Sequence, residues 1–223
     1  EGGLFSLFSI VGMSVTAFLM IFYPAISRHI KRKKLMTVLA CISMVGYALM
    51  LVAGLVLPST MLKFWVVTIG YALSNFGQYG YYLIMMISII NTVEYNEYRT
   101  GSRDEAIITS LRPFLTKMSS ALIVLVTNLS YIIFGVTKYT NQISDFENEC
   151  ARNLITEHEK TMAIDNVIAG IEPGKTLALL LCMVIVPCVL MLLSYFLYKK
   201  HYKLDEDKYD RICAEIAARK EAK

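Results

Sequence analysis

Hydrophobic positions in this chain fall in long unbroken runs, not in the alternating or three-to-four spacing of a soluble amphipathic element. No Asp, Glu, Lys or Arg occurs in residues 4–23, 35–57 or 177–198. Each run has the roughly 20 residues that a helix needs to cross a hydrocarbon core of about 30 Å. Two further segments complete the pattern: a tyrosine-rich one at 64–93, and one at 105–137 that carries a few polar groups. The chain is therefore read as an all-α membrane protein with five transmembrane helices at about 4–26, 35–57, 64–93, 105–137 and 177–198. Pro24 and a basic stretch close the first segment, and Pro58-Ser59-Thr60 closes the second. Residues 138–173 read as an external loop. Residues 199–223 read as a charged cytoplasmic tail with Ile212, Ile216 and Arg219 at helical spacing.

Composition agrees. Of 223 residues, 56% are hydrophobic and 18% charged, with mean hydropathy +0.51, against about 25% charged in a soluble domain. Charge placement adds an orientation. The 27–34 loop, the 95–104 junction and the tail hold five, two and eight Lys/Arg, whereas the opposite side holds five altogether. The bias of Lys and Arg toward cytoplasmic loops puts the basic loop, the junction and the C-terminus inside. The five cysteines form no CxxC pair, which supports neither a zinc site nor a disulfide framework. The chain opens on Glu1 without a basic, cleavable leader, so it is expected to begin inside a larger protein.

Polar groups inside apolar runs are the candidates for function, because lipid makes them expensive. Lys117 lies twelve residues beyond Glu105, about 18 Å along a helix, and a lysine at that depth costs roughly 2.5–3.5 kcal/mol to insert. It should face a partner or a water-filled cavity. At 100° per residue Ser110, Lys117 and Asn128 fall within about 20° of one line. Arg112 lies on another face, near enough to the cytoplasmic end to snorkel or to pair with a loop carboxylate, and Pro113 removes a backbone donor beside it. In the third segment Tyr71, Asn75, Gln78 and Tyr82 recur at i, i+4, i+7 and i+11, one face of a helix. Aromatic rings with amides suit a sugar, whose hydroxyls need hydrogen bonds and whose C–H face stacks on rings. Amide contacts that merely hold two helices together are the competing explanation.

Two motif-like strings fail. Gly170-Ile-Glu-Pro-Gly174-Lys175-Thr176 has three residues between its glycines where a phosphate loop has four. Asn128-Leu129-Ser130 has the form of a glycosylation acceptor but lies inside an apolar segment. No catalytic or metal-binding constellation stands out, and the three histidines lie in polar segments.

The stretch Asn91-Thr-Val-Glu94-Tyr95-Asn96-Glu97-Tyr98-Arg99-Thr100-Gly101-Ser-Arg103-Asp-Glu105 resembles the junction between helices ten and eleven of the glycoside–pentoside–hexuronide:cation symporters. These form the melibiose-permease-like branch of the major facilitator superfamily. The tail from Tyr202 to Arg219 is similar to the end of those transporters. The resemblance runs along the whole chain and implies helices eight to twelve of a twelve-helix carrier. It also implies sugar or glycoside symport with Na⁺ or H⁺ by alternating access, with the coupling cation held in an N-terminal half absent from this sequence. That missing half, membrane lipid and a small sugar are the implied partners; nucleic acid is not. By the same resemblance Lys117 takes the place of a lysine near the cation and sugar sites, and Tyr82 that of a substrate-proximal tryptophan. Glu94, Glu97, Arg103 and Glu105 match a charged latch that breaks as the carrier changes facing. Asn91 and Asn96 depart from it, standing where the family has Asp and Gly. The substrate-contact set is thus Asn75, Gln78, Tyr82, Lys117 and Asn128. The coupling and gating set is Glu94, Glu97, Arg103, Glu105, Arg112 and Lys117. A lipid or lysolipid carrier of the same superfamily, or a non-transporting membrane sensor or assembly partner, are the rival readings. An enzyme is not expected.

Overall fold

The computed structural model describes residues 2–58 and 60–221, with the side chains of residues 2–5, 28 and 29 left aside. Eight helices are described: α1 Gly2–His29, α2 Arg32–Val56, α3 Met61–Thr100, α4 Glu105–Ile133, α5 Thr137–Ala151, α6 Glu157–Ala169, α7 Pro173–His201 and α8 Glu206–Glu221. They form two compact units. One holds the chain up to Thr116 and again from Val186; the other is Lys117–Ile185.

Local chemistry sets the breaks in the first unit. Helix α2 stops at Leu57, held extended (ψ 136°) by the following Pro58. Helix α3 ends on Gly101, whose φ of +77° is the left-handed cap geometry that glycine adopts without a Cβ penalty. Helix α8 starts where Asp205 Oδ1 accepts from the Lys208 N–H at 3.0 Å.

Packing in this unit centres on α2 against α3, where small residues let backbones approach. A Cβ added at Gly77 would lie 2.5 Å from the Leu39 carbonyl oxygen and 2.7 Å from the Ser43 nitrogen. Around this crossing Leu35, Met36, Leu39, Ala40, Tyr81, Ile84 and Met191 form the buried core. Hydroxyl pairs tie the end of α7 to α2 and α3: Tyr81–Ser194 at 3.0 Å, Ser88–Tyr198 at 2.8 Å and Thr37–Tyr195 at 3.0 Å.

In the second unit residues 138–173, expected as a loop, form the α5–α6 hairpin instead. Thr156 and Glu159 make a reciprocal capping box that starts α6, and Asn153 takes the left-handed turn between the helices (φ 56°). Ser130 on α4 and Cys182 on α7 meet at 3.3 Å.

Four described helices are long and apolar enough to cross a membrane: Ser6–Ser27 within α1, then α2, α4 and α7. The chain is a multi-pass membrane protein. The fifth expected crossing, α3, is 40 residues long but is not among the four. Its tyrosines, amides and serines, which carry the candidate site, lower its hydropathy.

Candidate functional site

Within the first unit, α1 and α3 enclose a cleft of about 390 Å³ lined by Ser9, Gly12, Met13, Thr16, Ala17, Tyr71, Asn75 and Tyr79. Phe8 stacks on Tyr71 with ring centroids 4.1 Å apart. Gly12 makes room for that ring: a Cβ there would overlap Tyr71 and come within 3.2 Å of Asn75 Nδ2. The Asn75 amide nitrogen is buried without a hydrogen-bond partner among the described residues. Buried donors are nearly always satisfied in native proteins, so this one is poised for an acceptor that the cleft would receive. The Tyr71 and Tyr79 rings that line the cleft, with the Asn75 donor between them in sequence, offer the apolar and polar surfaces that a polyhydroxylated ring needs.

The other residues of the expected α3 face go elsewhere. Gln78 donates its amide to the Tyr47 hydroxyl on α2, a bond that holds two helices together. Tyr82 is partly exposed at 39%. Lys117, Asn128 and Arg112 lie on exposed faces of α4, and none makes an ion pair among the described residues. Sequence reasoning missed the α1 wall. Its signal was the run of small and hydroxyl residues Ser9, Gly12 and Thr16, at near-helical spacing inside an otherwise bulky segment.

At the other end of α3 the junction residues converge. Arg103 lies 3.7 Å from Glu94, 3.2 Å from Glu97 and 3.0 Å from Glu105. Asn96 donates to the Ser102 carbonyl at 3.2 Å and to Asp104 at 3.1 Å, bracing the turn. The tail closes on this cluster. Lys220 reaches Glu97 at 2.7 Å, and Arg219 donates to the Tyr98 carbonyl at 3.1 Å while lying 4.8 Å over its ring. Leu204, Ile212 and Ile216 pack against Tyr95, Tyr98, Tyr202 and Tyr209, and burial pushes the Tyr209 hydroxyl up to about 12.

The tail's acidic start meets the basic α1–α2 loop in register. Lys31 pairs with Asp207 at 3.0 Å and Lys33 with Asp205 at 3.9 Å. Arg32 donates its backbone N–H to Glu206 at 2.6 Å, with its guanidinium 3.6 Å from the same carboxylate. With its amide turned to donate to the Ile87 carbonyl, Asn91 also accepts from the Arg32 guanidinium at 2.7 and 3.2 Å. The position that resembles the family's first Asp thus still contacts a loop arginine, while the charge comes from the tail. The sequence signal was two complementary runs, Lys31-Arg32-Lys33 and Asp205-Glu206-Asp207.

Exposed ion pairs are individually weak, but these hold one helix at two places. The hydrogen bond from Lys220, and then its charge and that of Arg103, hold Glu97 below the ordinary 4.5. The bond to Asp207 holds Lys31 above 10.5. A lowered carboxylate contributes stability above its unfolded value and loses it as pH falls through the folded one; a raised lysine loses its contribution only above 10.5. Amide-exchange protection of α8, corrected for intrinsic rates, is therefore expected to hold across neutral pH and to fall only below 4.5. Loss of protection between neutrality and that value would contradict these pairings.

The chain matches, over residues 1–206, the family described as "MFS/sugar transport protein". It is 24% identical over 212 residues to the raffinose carrier protein of Pediococcus pentosaceus, a match covering 95% of this chain and 28% of that protein. It is 29% identical over 99 residues to the lactose permease of Leuconostoc lactis, covering 44% and 14%. It is 22% identical over 195 residues to the lactose permease of Lactobacillus delbrueckii subsp. bulgaricus, covering 87% and 26%. The matched region is less than a third of each of these relatives. With a match along nearly its whole length, and with the sugar-symporter resemblance of its junction, the chain belongs to the MFS/sugar transport protein family of the major facilitator superfamily.

Proposed function

We propose that the protein containing this chain carries a sugar or glycoside across the membrane with Na⁺ or H⁺, by alternating access between two helical halves. The observation that carries the reading is the α1–α3 cleft, with the partnerless Asn75 donor beside the Tyr71 ring. The relatives named as raffinose carrier and lactose permease support a sugar as the cargo. In this reading α3 is the fifth crossing, and the Arg103 cluster, the basic loop and the tail lie on the cytoplasmic side. Glu94, Glu97, Arg103 and Glu105 act as the gate. Tyr82 on α3 and, separately on α4, Lys117 and Asn128 stay as proposed substrate contacts, with Arg112 and Lys117 as proposed coupling charges, whereas Gln78 is committed to Tyr47. The coupling cation binds outside this chain. The polar lining of the cleft disfavours a lipid or lysolipid cargo.

Uptake of labelled galactosides by cells making the complete protein tests this. Asn75→Leu keeps the branched shape and removes the donor, so uptake at low substrate is expected to fall about five- to tenfold, the worth of roughly one buried hydrogen bond. Wild-type uptake by this variant would remove Asn75 from the site. Uptake of lysolipid in place of any sugar would overturn the assignment.

A further inference from the structure

We propose that the lipid-facing side of α2 is a binding site for one anionic phospholipid, with its headgroup on Lys34, Lys199 and Lys200 and an acyl chain along α2. An apolar groove of about 330 Å³ runs along this helix, lined by Thr37, Val38, Cys41, Ile42 and Val45 with Leu73 of α3. At 100° per residue Lys34, Val38, Cys41 and Val45 fall within about 30° of one line, so Lys34 stands at the head of the groove. From Lys34 to Val45 the helix rises about 16 Å, the depth of one leaflet of a core of roughly 30 Å. The groove is thus as long as one acyl chain and ends in a cation.

The end of α7 brings the other charges to the same end of α2. Tyr195 is hydrogen-bonded to Thr37, a groove residue, at 3.0 Å. Lys199, one turn beyond Tyr195, holds its ammonium 5.7 Å over that ring, and Lys200 follows it. All three lysines are exposed. None pairs with a carboxylate among the described residues, whereas the neighbouring Lys31 and Lys33 are taken by the tail. Cations left open at a membrane boundary above an apolar channel suit a phosphodiester with a fatty chain, and basic clusters beside a crossing attract anionic lipid. Charge complementarity selects the anionic headgroup over a zwitterionic one. The inference requires only that α2 and α7 cross the membrane and is independent of the cargo.

The complete protein, purified in mild detergent, would be titrated with phosphatidylglycerol or phosphatidylcholine and read by native mass spectrometry. One retained phosphatidylglycerol with about tenfold preference over phosphatidylcholine is expected. K34Q/K199Q/K200Q should abolish the preference, Cys41→Phe with Val45→Phe should weaken retention of both lipids, and K63Q/R99Q should change neither. Equal retention of the two lipids by the wild-type protein, or a preference that survives the triple substitution, overturns the site. Displacement of the lipid by excess inorganic phosphate overturns it in favour of a free-anion site. Should the triple variant not fold, K34Q alone is read, and an unchanged preference there is equally fatal.

Discussion

Replacing Lys117 by Gln in the complete protein is expected to abolish cation-coupled sugar uptake while leaving the protein folded and in the membrane. The residue sits twelve positions into the 29-residue α4, with no ion pair among the described residues and an exposed side chain. A lysine at such depth costs roughly 2.5–3.5 kcal/mol unless it meets water or an opposite charge. No carboxylate pairs with it among the described residues, so under the proposed function its compensation is water or an opposite charge met during transport. Gln is one bond shorter but stays polar, still donates hydrogen bonds and deletes the charge. If the charge couples cation to sugar, sugar exchange at equal concentrations on both sides should outlast uphill accumulation. The comparison of those two assays decides the point: equal, wild-type accumulation would reduce Lys117 to a structural residue, and loss of folded protein on gel filtration would make it a packing one.

The second large effect is structural. Gly77→Leu is expected to prevent stable assembly of α2 on α3. Overpacking that side chains can absorb costs about 1–3 kcal/mol, but at Gly77 the obstructing atoms are the backbone of α2: the Leu39 carbonyl at 2.5 Å and the Ser43 nitrogen at 2.7 Å from the missing Cβ. The helices would have to separate, breaking the contact of Ser43 with the Ser74 carbonyl at 3.3 Å and unpacking Leu39 and Ile84. Heating the detergent-solubilised variant should give aggregation well below the wild-type temperature, with little monodisperse protein recovered. Gly174→Leu is the control, since nothing lies within 4 Å of a Cβ there. A Gly77→Leu protein as stable as that control would show the crossing to be looser than described.

These two predictions draw on different sources. Lys117 stood out in the sequence because a charge in an apolar run is costly wherever the helix ends up. Gly77 did not, because a glycine in a membrane segment acquires meaning only from what approaches it. The α5–α6 hairpin lies between these cases. Thr156 and Glu159 carried a readable capping signal, yet the polarity of the surrounding stretch read as a loop, because α6 buries no residue and α5 only Tyr139, which leaves little apolar pattern to read. The tail helix was foreshadowed by Ile212 and Ile216, but not its docking.

By itself the sequence determined the membrane class, the apolar helices α1, α2, α4 and α7, and the family resemblance of the Glu94–Glu105 junction. Each of these rests on run length, on the cost of charge in lipid, or on short-range spacing, and all three are local properties of the chain. Only the tertiary structure decided that Gln78 serves Tyr47, that Asn75 faces α1 across Gly12, and that Arg32 is shared between Asn91 and Glu206. Those outcomes depend on which faces of nearly uniformly apolar helices meet. Hydrophobicity scarcely distinguishes such faces, and small residues, hydroxyls and complementary charge runs choose between them.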